Sequence, residues 1–265
     1  MSIYVYFRND DVNSLDFELM ELTRVFLEEG VPITHAVEPA NVKDDTVGWL
    51  LSVRSHHPHL IGIMQHGYDH RKRDLGEFGG RRTYADQYRD LRNGKMIMQQ
   101  AFGENLLNAI NFPFGPFNPD TVRAIDDLGF EVMSSHFNYR LSRRLFYALS
   151  RVLDRGQLLG KYASRHMSYY PGTRLYVIDM CISFIRSYQG PYGSRSCEFM
   201  GLEALLREFS RFRRYTDVVG FLLHHRYHGS RESLQLVRQV IRAIRQDPAV
   251  EFASLDGLHR RFAGI

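Results

Sequence analysis

The chain predicts an α/β fold: one domain spanning 1–265, built as a distorted (β/α) barrel with seven or eight parallel strands. Two observations carry this. Strand-like apolar runs alternate along the chain with segments whose apolar residues recur at three- and four-residue spacing. The strand runs are largely apolar rather than alternating, as in parallel strands covered by helices. An open doubly wound sheet is the competing architecture.

Each element has its own reason. The first strand, 3–9, opens with five strand-favouring residues, Ile3 to Phe7, and Asn9, Asp10 and Asp11 are expected to end it. Further strands are expected at 31–37, 60–65, 109–112, 131–134, 175–180, 217–223 and 250–253. Helices are expected at 15–29, 44–55, 83–102, 119–128, 141–153, 202–214 and 231–246. Leu19, Leu22, Val25 and Phe26 make the apolar stripe of the first helix, and Leu234, Val237, Val240, Ile241 and Ile244 that of the last. Residues 157–196 are irregular and rich in Tyr, Ser and Gly, and read as a long insertion or flap around one strand.

Composition narrows the class. Hydrophobic residues at 44% and charged residues at 24% are those of a soluble globular protein. No apolar run reaches the ~18 residues of a membrane span. No signal peptide precedes the first strand, and Cys181 and Cys197 form no CxxC pair, so a reducing cytoplasm is the expectation. The net charge is +4, and only four of the 34 basic residues are Lys. Arg suits carboxylate and phosphate partners, although base composition enriches it equally well. No basic tract carries interleaved aromatics, which argues against nucleic acid. Nothing in the chain specifies an oligomer.

Four polar clusters fall at expected strand ends. Asp10-Asp11 comes first. Neighbours on an extended strand point in opposite directions, so both carboxylates are solvated only where the strand opens into a cleft. Two like charges this close call for a cation or a shared proton. The pair also fits a helix cap. His66 and His70 follow the third strand, and on a helical turn their spacing puts both rings on one face. Two histidines and one carboxylate can hold Zn²⁺ or another divalent ion with a position open for water, and a second carboxylate can then act as general base. Asn111-Phe112-Pro113-Phe114-Gly115 is a rigid loop that can offer an amide N–H to an oxyanion, and Asn118-Pro119 there also fits an ordinary helix start. Last come His224, His225 and His228, one of which can protonate a leaving amine.

In this order the motifs resemble the polysaccharide deacetylase family, also known as the NodB-homology or carbohydrate esterase 4 group, from Phe7 to about Leu255. The resemblance implies a distorted (β/α) barrel that removes N- or O-acetyl groups from sugars with a divalent metal. It implies Asp10 as general base, and Asp11, His66 and His70 as metal ligands. The Phe114 amide would hold the oxyanion, His224 would be the acid, and Asn111 and Pro113 would border the substrate. Zn is the expected metal, with Co, Ni, Mn or Fe as alternatives. The chain departs from the pattern in four places. Val12 replaces a Gly, and Asn111 replaces the Arg that orients the base. The stretch from Ser134 to Asn138 lacks the Asp and Trp common there, and His225 stands where an Asp often follows.

The expected substrate is an N-acylated sugar or glycan precursor, such as one for a surface polysaccharide or O-antigen. Arg71 and Arg73, with Lys72, Arg81 and Arg82, are expected to receive an anionic group on it, or else to form a solvated loop. The competing readings are a metal-retaining binding protein without activity and another amide hydrolase on the same scaffold.

Overall fold

The structure is a computed structural model that describes residues 2–136, 145, 162–163, 165, 167–170, 172–190 and 194–264. Seven parallel strands close into a barrel: β1 (Ile3–Val12), β2 (Ile33–Val37), β3 (Ile61–His66), β4 (Ala109–Asn111), β5 (Val132–His136), β8 (Tyr176–Ser183) and β11 (Val218–His224), with β11 returning to β1. Short β6 (Tyr162–Ala163) and β7 (Ser168–Tyr169) extend β8 in antiparallel fashion. β9 (Ile185–Gln189) and β10 (Ser196–Phe199) form a separate antiparallel hairpin. The expected eighth strand exists as β12 (Val250–Phe252), but it pairs with the first residues of β1 and does not enter the ring.

The expected βα alternation holds. α1 (Phe17–Glu29), α2 (Asp44–His56), α3 (Tyr84–Phe102), α4 (Pro119–Asp127), α5 (Leu202–Phe212) and α6 (Arg231–Arg245) surround the barrel. Of the helix expected at 141–153, only Leu145 is among the described residues, and it is helical. Part of the irregular stretch 157–196 lies outside the described residues, and its described portion supplies β6, β7, the barrel strand β8 and the first strand of the hairpin.

β1 divides its residues between two environments. Ile3, Val5 and Phe7 pack outward with Leu22 and Phe26 of α1, and the Phe7 and Phe26 rings meet edge to face at 5.0 Å. Full burial of each such side chain contributes about 2 kcal/mol. Tyr4 and Tyr6 turn into the barrel with Met64, Ile178 and Met180. Tyr6 fits because Gly220 opposite has no Cβ; one built there would lie 2.5 Å from the Tyr6 ring. α7 (Leu255–Ala263) closes the base of the barrel with Leu255 and Leu258. The other end stays open, at the carboxyl ends of the strands. No helix of the described residues is long and apolar enough to cross a membrane.

Candidate active site

β1 does not stop at Asn9. Its pairing with β2 runs from Asn9–His35 to Val12–Val37, three steps against two, which is a β-bulge. Asp11 absorbs the extra residue in the left-handed region at φ 63°, a conformation Asp tolerates better than most residues. The bulge breaks the expected alternation, so Asp10 and Asp11 line the same cavity. The helix-cap reading of the pair is also corrected, because α1 is capped by Asp16, which accepts from the Leu19 amide at 2.9 Å.

Asp10 is buried and held on both oxygens. Arg8 Nε donates to its Oδ1 at 2.6 Å and Arg8 Nη2 to its Oδ2 at 2.9 Å, while Asn111 Nδ2 donates to Oδ2 at 2.9 Å. Arg8 is anchored in turn through Nη1, which donates to Ser134 O at 2.9 Å and Ser134 Oγ at 2.6 Å. Arg8 was not singled out in the sequence, yet Tyr4, Tyr6, Arg8 and Asp10 follow a two-residue period along one face of β1. That period was the available signal.

Asp11 meets both histidines through one atom. His66 Nε2 and His70 Nε2 each lie 3.1 Å from Asp11 Oδ1. The three donor atoms all fall within 4.8 Å of one another. Two ligands held about 2 Å from one tetrahedral ion sit roughly 3.3 Å apart, so this oxygen and two imidazole nitrogens fit a divalent metal with coordination left over. Burial would raise the Asp11 carboxyl, but the His224 charge and the hydrogen bonds from His66 and His70 hold it well below the usual carboxylate range. Burial would lower His66, but Asp10 and Asp11 push it up to about 9.

The turn carrying His70 is not helical, which corrects the helical reading of the HxxxH spacing. His66 ends β3, Gly67 has φ 53° and His70 has φ 56°. A side chain at Gly67 would strike Pro113 Cδ at 2.5 Å and Glu77 Oε2 at 2.3 Å. Glu77, which the sequence did not single out, lies fully buried beneath the turn. Its Oε1 accepts from the amides of Asp69 at 2.8 Å and Tyr68 at 3.1 Å, and burial pushes the carboxyl up to about 7.

The remaining rim residues arrive from neighbouring strands. His224 ends β11 as the register partner of Asp10, and Asn111 ends β4 as the partner of His66. His224 lines the cavity, and Tyr188 Oη of the hairpin lies 3.3 Å from its Nδ1. His225 and His228 are buried and do not line it. Phe114, at φ 64°, packs its ring 4.7 Å from that of His70. Pro113 braces Gly67 and does not line the cavity. Asn118 caps α4 ahead of Pro119 as expected.

The cavity measures about 720 Å³ and brings together Asp10, Asp11, His66, His70, Phe114 and His224. It does not include Arg71 or Arg73. Arg73 bonds Asp69 at 2.8 and 2.9 Å, and Arg71 lies 3.8 Å from the same carboxylate with its side chain 82% exposed. Arg82 pairs with Asp90 at 2.6 Å. These cations brace the loop and one another's carboxylates.

No protein-family model and no curated protein matches the sequence. Solved structures do match the fold. A Mycobacterium smegmatis protein assigned as a polysaccharide deacetylase superposes with a TM-score of 0.70 at 14% identity, over 98% of this chain and 90% of that one. An allantoinase gives 0.65 at 14% identity, over 99% and 90%. A family 4 acetyl xylan esterase from Clostridium thermocellum, solved in complex with a cobalt ion, gives 0.60 at 13% identity, over 99% and 92%. The chain has the polysaccharide deacetylase fold.

Proposed function

We propose that the chain is a divergent polysaccharide deacetylase: a metal-dependent hydrolase that removes an N-acetyl or similar acyl group from a sugar or glycan precursor. The observation that carries this is the convergence of Asp11, His66 and His70 on one point, with a second, separately held carboxylate beside them. Under this reading Asp11 Oδ1, His66 Nε2 and His70 Nε2 hold the metal, with Zn the first choice. Such an ion supplies Lewis-acid activation of a water and of the substrate carbonyl.

The protein's own groups divide the proton work. Asp10, fixed by Arg8 and Asn111, takes the proton from the attacking water. The water oxygen bonds to the carbonyl carbon while the Phe114 amide donates to the carbonyl oxygen. His224 gives a proton to the amide nitrogen as the C–N bond breaks, which releases acetate and a free amine. Tyr188 orients His224 through Nδ1, leaving Nε2 for the leaving group. A precursor of a surface polysaccharide or O-antigen is the substrate class this reading takes.

The test is release of acetate from N-acetyl sugars by purified protein, before and after chelation and in Asp10→Ala. Release that both treatments abolish, with the fold retained, supports the enzyme. Bound metal without acyl release across a broad panel would leave a binding protein. The shared fold of the allantoinase favours hydrolysis of other amides as the second reading. The carboxylate released tells the two apart.

A further inference from the structure

Two arginines of the cavity have no part in the chemistry above. Arg195 and Arg226 both line it. Arg195 immediately precedes β10 of the hairpin, and Arg226 belongs to the 3-10 turn His225–Tyr227 after β11. Among the described residues a hydrogen bond joins these segments: Tyr227 Oη donates to Ser194 O at 3.2 Å. Ser194 and Tyr227 are the chain neighbours of the two arginines, so that bond ties together the two segments that bring Arg195 and Arg226 to the cavity wall. Tyr188 and Tyr227 meet on the same wall, with ring centroids 5.5 Å apart.

The charges on this wall are not balanced. Among the described residues no carboxylate pairs with Arg226, which is half-buried. Arg195 gives only Nη1 to Glu18, at 2.9 Å. Among the described residues the cavity carboxylates are Asp10 and Asp11, and both are engaged, Asp10 by Arg8 and Asp11 by His66 and His70. A partly desolvated guanidinium without a counter-ion is costly, and an arriving anion offsets that cost. Its planar fork suits a phosphate or a carboxylate equally.

We propose that this wall is an anion subsite, so that the cavity takes an acylated sugar bearing a phosphate ester or a carboxylate, received by Arg195 and Arg226. The acyl end of the substrate rests on the deacetylase reading, whereas the anion subsite rests on the wall alone. The neighbouring tyrosines give the sugar ring an apolar face to lie against.

Calorimetry on the metal-loaded protein tests it with three probes: N-acetylglucosamine, its 1-phosphate, and the corresponding N-acetylated uronate. At least one anionic sugar is expected to bind about tenfold tighter than the neutral one. The one that does identifies phosphate or carboxylate. The gap is expected to close in the double variant Arg195→Gln/Arg226→Gln and to shrink as salt rises. Equal affinity for all three, or a gap that survives the double variant, overturns the proposal. Thermal melting confirms that the variant is folded. The affinity gap and acetate release are separate readouts, so the two readings separate: an anionic gap without acetate release keeps the subsite and removes the deacetylase. Acetate release with no gap does the reverse.

Discussion

Arg8 grips both oxygens of Asp10 from two residues earlier on the same strand, with contacts of 2.6 and 2.9 Å in a setting where both side chains are 6% exposed. The cation that the resemblance expects at the end of β4 is therefore supplied by β1, and Asn111 keeps only a hydrogen bond. Removing one member of a buried pair leaves the other charge uncompensated, at a cost of about 3–5 kcal/mol. Arg8→Gln is expected to lower stability by that order, read by denaturant unfolding. It should also lower kcat about a hundredfold through loss of Asp10 geometry, with KM little changed. Arg8→Lys should retain part of both. Adding Asn111→Arg to Arg8→Gln returns the charge to β4 and should recover activity. If Arg8→Gln leaves stability and kcat unchanged, Asp10 does not depend on it.

Glu77 holds the His70 turn through two backbone amides. Glu77→Ala removes both contacts without touching a proposed ligand. Metal affinity is expected to fall about 10–100-fold, measured by competition with a chromophoric chelator. An unchanged affinity would show that the turn holds itself.

Tyr188 and His224 meet across the cavity at 3.3 Å. His224→Ala is expected to lower kcat for amide substrates by about 10²–10⁴-fold, since the departing amine needs a proton. Tyr188→Phe loses only the orienting contact and should cost about tenfold. Aryl acetates, whose leaving groups depart without protonation, should be far less sensitive to both. Equal losses on both substrate types would place His224 outside the acid role.

Three buried histidines set an acid limit on the fold. Burial pushes His35, His225 and His228 down to about 3, from an ordinary value of 6.5. The unfolded chain therefore binds protons that the folded chain refuses between those values. Their contribution is fully present above pH 6.5 and is lost as pH falls towards 3. Each histidine contributes a slope of about 1.4 kcal/mol per pH unit within that window. The melting temperature should fall steeply below pH 6. His35→Gln, which cannot titrate but keeps a polar group near Asn9 and Thr23, should flatten the fall. A melting temperature that is level from pH 7 to pH 4 would contradict this.

The rim of the barrel was legible in the sequence because each polar cluster follows an apolar strand, and strand ends gather at one face. The disposition within the rim was not. The parity of Asp10 and Asp11 depends on a bulge that a two-residue period cannot reveal, and His70 reaches Asp11 through a left-handed residue rather than a helical turn. Arg8 was hidden because the tyrosines below it read as part of an apolar run, although they face inward and lead up to it. Arg73 lies outside the cavity lining. Its carboxylate partner, Asp69, stands four residues earlier and takes up the charge expected to face the substrate. The cations on the cavity wall come from the hairpin and the turn after β11, whose meeting only the tertiary fold brings about.

The metal content of the purified protein tests the central claim most directly. Elemental analysis of the wild type should find about one divalent ion per chain, Asp11→Ala should lose it, and Asp10→Ala should keep it while losing acyl release. A wild type that takes up no divalent metal when supplied with it, or an Asp11→Ala that binds as well as the wild type, would contradict the account.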